Sequence, residues 1–197
     1  MKPFHTTLEN LPKLGYDTFV FRGVPGAGKT YHARNLYQTL KIEILRRTGI
    51  FQVGDLRYLS TDDYRIDSQG VYTFDPLKAS EYHYRCRGAF LDTLAKDSYL
   101  NSITPIIVDN LNLTMFEVGP FMEMALAARR NPILLTIQTS VALALERQQH
   151  NVPEFTYREM VKDLNEFQVF PDAWATSNIR SDGTVTIFQS PTPPRFE

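Results

Sequence analysis

Cysteine is almost missing from this sequence: Cys86 is the only one in 197 residues. No intrachain disulfide can form, which fits a reducing compartment. There is no C-x-x-C pair and no H-E-x-x-H, so the common zinc sites lack their ligands. No hydrophobic run is long enough to cross a bilayer, and residues 1–14 have no apolar stretch of the kind a secretory leader needs. The expectation is a soluble, cytoplasmic protein without a membrane partner. Neither sign of charge is in excess: Lys plus Arg total 21 and Asp plus Glu 22, a formal net charge of −1. Coating long nucleic acid by charge alone needs a basic face, so that class is disfavoured, whereas one short basic pocket is not. Internal repeats are absent. The single tryptophan, Trp174, closes the phrase Phe170-Pro171-Asp172-Ala173-Trp174 and reads as core packing.

What is present suffices for one domain. Apolar residues make up 43% of the chain, enough for one packed core and too little for two. The domain is expected over 1–189, and Pro191, Pro193 and Pro194 make 190–197 a tail without regular structure. Short β-rich runs alternate with longer helical ones, the pattern of an α/β fold. The reading is a P-loop NTPase fold, with a doubly wound, mostly parallel five-stranded sheet and helices on both faces. Strands are expected at 17–22, 57–60, 105–108, 133–137 and 184–188. Helices are expected from the glycine-rich turn to about 48, at 76–96 behind an Asp75-Pro76 cap, and at 114–130, 141–149 and 156–167.

Gly23-Val24-Pro25-Gly26-Ala27-Gly28-Lys29-Thr30 fits G-x-x-x-x-G-K-[ST], the Walker A pattern, between a strand and a long helix. Gly23, Gly26, Ala27 and Gly28 let backbone N–H groups turn toward phosphate oxygens where larger side chains would collide. The helix that starts here aims its positive end at the same anion. Lys29 reaches the β- and γ-phosphates of ATP, and the Thr30 hydroxyl suits Mg²⁺. Asp67-Ser68-Gln69-Gly70 matches the D-x-x-G of GTPases, but no [NT]-K-x-D for guanine occurs, so it reads as a polar turn. Asp109 ends an apolar strand as a Walker B-type carboxylate suited to Mg²⁺, directly or through water, and Asn110 follows in place of the Glu that activates water in ATPases. The 57–60 strand runs into Ser60-Thr61-Asp62-Asp63-Tyr64-Arg65, at the sheet edge where ligands bind. Asp62 suits a base for an acceptor hydroxyl, Arg65 an acceptor anion, and Asp63 a helix cap. Arg147 suits a lid over the phosphates, although a solvated helix face explains Glu146-Arg147 as well.

Together with Gly70-Val71-Tyr72-Thr73-Phe74-Asp75-Pro76, Asp109-Asn110-x-Asn112 and Glu146-Arg147, these blocks resemble the polynucleotide-kinase-like P-loop phosphotransferases. Within them the chain is most similar to the group typified by the NEDD-four-binding-protein-two kinase domain, over about residues 19–167. The resemblance implies transfer of the ATP γ-phosphate to the 5′-hydroxyl of a nucleic acid. It implies Asp62 as base, Arg65 and Asn112 at the acceptor, Asp109 at the metal and Arg147 on the lid. Two positions depart from the family pattern: Leu111 stands where a Thr is usual, and His150 where a second lid cation is expected. Tyr64, Tyr72 and Phe74 suit base stacking or core packing. A kinase for a small acceptor (nucleoside, sugar or antibiotic) and a non-catalytic ATP-binding module are the alternative readings.

Overall fold

Seven strands and five α-helices lie within residues 3–73, 75–149 and 152–189, which the computed structural model describes. The strands are β1 (Phe4–Thr7), β2 (Thr18–Arg22), β3 (Arg57–Leu59), β4 (Ile106–Asp109), β5 (Pro132–Ile137), β6 (Ala175–Ile179) and β7 (Thr184–Gln189). The helices are α1 (Lys29–Thr48), α2 (Ala79–Leu100), α3 (Met115–Ala127), α4 (Val141–Arg147) and α5 (Glu154–Glu166). All strands join one sheet in the order β1-β7-β6-β5-β2-β4-β3. From β6 to β3 the pairing is parallel, while β7 runs antiparallel to β6 and β1 antiparallel to β7.

The alternation of side chains along β2 decides which helices cover which face. Phe19 and Phe21 point into a core built with Ala33, Leu36 and Leu40 of α1 and Tyr157 of α5. Val20 points the other way, toward Phe90 and Leu94 of α2 and Val118, Phe121 and Met122 of α3. Central strands buried on both sides are what a parallel α/β sheet requires. At its amino-terminal edge, buried Arg130 bridges Asp97 (2.6 Å) and Asp17 (2.9 Å), so two carboxylates offset its charge.

Two strands were not legible and raise the expected five to seven. Strand β6 is interior, yet it reads Ala-Thr-Ser-Asn-Ile; Ser177 is accommodated because its hydroxyl donates to the Leu134 carbonyl at 3.2 Å. Strand β1 is a short, largely exposed edge that pairs only with β7. The Asp75 cap is real but serves a 3-10 turn, Pro76–Lys78, ahead of α2. Helix α4 ends at Arg147, two residues earlier than expected. Trp174 is 1% exposed, stacks on Phe170 and donates its indole N–H to Glu123 at 2.7 Å. Phe74, His150 and the 190–197 tail lie outside the described residues.

Candidate nucleotide and acceptor site

The carboxyl ends of β2, β3 and β4 meet at one edge of the sheet, and each carries one block of the expected site. After β2 the chain turns through Gly26 and Gly28 in the left-handed region, at φ 76° and 100°. Gly28 is the N-cap of α1, so no side chain caps this helix. Its first-turn amides are therefore left for an anion, and the helix dipole favours negative charge there. The loop is held from outside by two contacts: Gly23 N–H donates to the Leu111 carbonyl (3.0 Å), and the Tyr157 hydroxyl donates to the Pro25 carbonyl (3.1 Å). A Cβ on Gly26 would stand 2.0 Å from the Ala144 carbonyl oxygen of α4. The absence of a side chain thus serves helix packing as well as phosphate approach.

Lys29 is 8% exposed, and its ammonium donates to the Val24 carbonyl at 2.9 Å. Burial lowers its pKa from 10.5 to about 8, against the opposing pull of Asp109 and Asp62. A lysine held in this way has more to gain from a triphosphate than one in water. Thr30 is exposed in the first turn of α1.

The β4 end is more tightly built. Asp109 is 6% exposed, and its Oδ2 accepts a 2.6 Å hydrogen bond from the Tyr58 hydroxyl of β3. Burial, then the charge of Asp109, raises the Tyr58 pKa far above its ordinary value, so the phenol keeps the proton that it donates to the carboxylate. The other oxygen, Oδ1, is buried without a hydrogen-bond partner among the described residues. An orphaned carboxylate oxygen beside a phosphate loop fits a Mg²⁺ shell, reached directly or through water. Among the described residues no cluster of three or more His, Cys, Asp or Glu forms a metal cage.

The β3 end is tied to the β4 end by two residues whose work the sequence did not disclose. Ser60 donates to the Asp109 carbonyl (3.0 Å) while its oxygen caps the amide of Asp62 (3.2 Å). Asn110 accepts from the Thr61 amide at 2.8 Å. The 3-10 turn Thr61–Arg65 is thereby set in fixed relation to the Asp109 strand. Asp62 leaves 47% of its side chain exposed, and its Oδ1 accepts from Arg65 at 3.0 Å. Asp63 lies in the first turn of this element, where Ser60 supplies the cap expected of it.

Asn112 has a different place from the one expected. It is fully buried in a left-handed conformation (φ 50°), and its amide donates to the Phe21 carbonyl at 2.7 Å. It joins the end of β2 to the loop after β4, and its Oδ1 is buried without a hydrogen-bond partner among the described residues. Arg22, which the sequence left as a strand residue, is fully buried too. It donates to the carbonyls of Asn112, Leu113, Leu164 and Phe167, and burial brings its pKa down to about 10. Arg147 is exposed in the last turn of α4, the helix that rests on Gly26. Tyr64 packs partly against the α2–α3 core and lies under the Arg85 guanidinium at 4.5 Å. Tyr72 reaches Asp62, its hydroxyl 3.3 Å from Oδ1.

Comparison with known proteins agrees with this architecture. Human NEDD4-binding protein 2 is 31% identical over 112 residues, which cover 57% of this chain and 5% of that protein. The chain therefore spans a small fraction of the relative's length. Two crystal structures of the AvrRxo1-ORF1:AvrRxo1-ORF2 complex, one with ATP and one with sulphate ions, match at 18% identity and TM-score 0.51. The match covers 92% of this chain and 60% and 61% of theirs, and at that identity it speaks for the fold. The profile of AAA_33, described as an AAA domain, matches residues 19–162, and with more than half of its length inside that match this chain belongs to the AAA_33 family.

Proposed function

We propose that the protein is an ATP- and Mg²⁺-dependent phosphotransferase that moves the γ-phosphate to a hydroxyl, foremost the 5′-hydroxyl of a polynucleotide. The observation that carries this reading is the meeting of three groups at one sheet edge. The Lys29 ammonium is buried within the electrostatic reach of both Asp109 and Asp62, with Asp62 the more exposed carboxylate. Lys29 and the loop amides bind and orient the triphosphate. Asp62 accepts the proton of the acceptor hydroxyl. Thr30 and Asp109 are the residues suited to hold Mg²⁺, which when bound neutralises charge on the phosphates. Arg147, on the helix that rests against the loop, steadies charge in the transition state. The motifs around Asp62 and Asp109-Asn110, through their resemblance to the polynucleotide-kinase-like phosphotransferases, support a nucleic-acid acceptor.

A second reading, a small acceptor, draws support from Leu111. It packs against the apolar core and offers no hydroxyl where a threonine would help hold an acceptor phosphate. Transfer of labelled phosphate from ATP to 5′-hydroxyl oligonucleotides, and in parallel to nucleosides and sugars, separates the two. The expected result is transfer to oligonucleotides that falls by about 10²–10⁴-fold in Asp62→Asn. Full-rate transfer by that variant removes Asp62 from the base role. Labelling of a metabolite alone selects the small acceptor, and tight ATP binding with no turnover selects a non-catalytic module.

A further inference from the structure

Helix α2 buries Tyr82, Cys86, Phe90, Thr93, Leu94 and Asp97 on one side. The opposite side is not the polar face that a solvated helix presents. Tyr84, Gly88, Leu91, Ala95 and Tyr99 recur there every three or four positions and form one stripe about 22 Å long. Tyr84 is 73% exposed, Leu91 48% and Tyr99 89%.

Gly88 is the informative member of the stripe. A glycine inside a helix weakens it, because ordering its backbone loses more freedom than any other residue would lose. The chain's own packing gives no reason for it: Gly88 lies well inside α2, and a Cβ there would meet nothing within 4 Å. The contact with α4 that requires a glycine at Gly26 has no counterpart here. What a bare spot on an exposed helix does allow is the close approach of another helix.

The stripe is complementary to itself. Let two copies of α2 cross antiparallel about a two-fold axis that passes between Gly88 and Leu91. Leu91 of one then faces Gly88 of the other, and Tyr84 faces Ala95, so each large side chain meets a small one. A parallel pair would set Tyr84 on Tyr84 and Leu91 on Leu91. Charges along one flank agree with the antiparallel register: Arg85 falls beside Asp92 of the second copy and Glu81 beside its Lys96, and the two-fold repeats both pairs. All four residues are exposed, and Arg85 and Glu81 pair only loosely within the chain, at 3.9 Å. The Arg85 guanidinium lies over the Tyr64 ring, which leaves its edge for a carboxylate.

We propose that two copies of this chain associate through the exposed face of α2, as an antiparallel two-fold pair. One helix stripe covers less than the roughly 800 Å² per partner of a standard interface, so the pair is weak, with a Kd of about 1–100 µM. Leu91 and the tyrosines supply the apolar burial, and the flanking ion pairs add little energy but set the register. This inference is independent of the phosphotransferase reading.

Sedimentation equilibrium of the whole chain over about 1–300 µM tests it. The mean mass should rise from that of one chain toward that of two. Gly88→Gln puts a side chain between the two backbones and should weaken the pair at least roughly tenfold, while raising the melting temperature of the dilute monomer because a glycine has left the helix. A lowered melting temperature would show that Gly88 serves the chain's own fold and would overturn its role in the pair. Asp92→Arg sets like charges beside Arg85 and should weaken association several-fold, and Arg85→Asp combined with Asp92→Arg should restore it. A chain that stays monomeric at about 300 µM, a dimer indifferent to Gly88→Gln, or one that the double exchange does not rescue overturns the proposal and leaves the kinase reading untouched.

Discussion

Replacing Lys29 by methionine should stabilise the nucleotide-free protein while removing its grip on ATP. The ammonium is buried, and burial brings its pKa from 10.5 to about 8. Below pH 8 the group is charged in both the folded and unfolded chains, and the folded state bears the full cost of desolvating it. Between pH 8 and 10.5 the unfolded chain binds the proton and the folded one does not. Stability of the native protein therefore rises with pH across that window. The pKa difference corresponds to an effect on the order of 3 kcal/mol, reduced by loss of the Val24 contact. Methionine fills a similar volume and does not titrate. Urea unfolding of both proteins without nucleotide, at pH 7, 9 and 10.5, should show the variant ahead by about 2–3 kcal/mol at pH 7 and level with the native protein at the top of the range. Calorimetry with ATP should show affinity reduced by about 10–100-fold, the loss of charge-assisted contacts to phosphate. A variant less stable than the native protein at pH 7, or a gap that does not close with pH, would refute the assignment of a strained, charged lysine.

Two further outcomes follow from the geometry around the loop. Gly26→Ala places a methyl group 2.0 Å from the Ala144 carbonyl oxygen at a left-handed φ, whereas Gly28→Ala meets nothing nearer than His32 Cδ2 at 3.9 Å. Both bear the conformational cost of about 1–2 kcal/mol, but only the first must also displace α4, for roughly 1–3 kcal/mol more. Thermal melts with equal losses for the two variants would contradict the packing of α4 on the loop. Tyr58→Phe removes the 2.6 Å hydrogen bond that orients Asp109. The Mn²⁺ affinity of the nucleotide complex, read by electron paramagnetic resonance, should weaken by about tenfold, since partners that orient a ligand carry that order of effect. An unchanged affinity would leave Tyr58 no part in placing the carboxylate.

Much of the fold could be read because its information is local or periodic. The apolar runs of β2, β4 and β5 announced a buried parallel sheet, and strict adjacency of strand, glycine turn and helix announced the phosphate loop. Strand β6 escaped because Thr176, Ser177 and Asn178 look like loop residues until their neighbours supply hydrogen-bond partners and burial. The Asp-Asn-x-Asn block was visible as a pattern, but not the division of labour within it. Asn110 serves the β3 turn and Asn112 the end of β2. Residue type alone does not tell an amide that joins two strands from one that meets an acceptor.

By itself the sequence determined the chemistry of the phosphate loop, since eight consecutive residues carry it and their order is their geometry. It also marked the central strands β2, β4 and β5, whose short apolar runs have the length and composition of strands buried on both faces. Only the tertiary structure decided which oxygen of Asp109 is held by Tyr58, 51 residues away, and which donors close on Asp62. The physical reason is range. A turn is set by neighbouring dihedral angles, whereas a hydrogen bond between distant residues exists only once the sheet register has brought its two ends within 3 Å or so of each other.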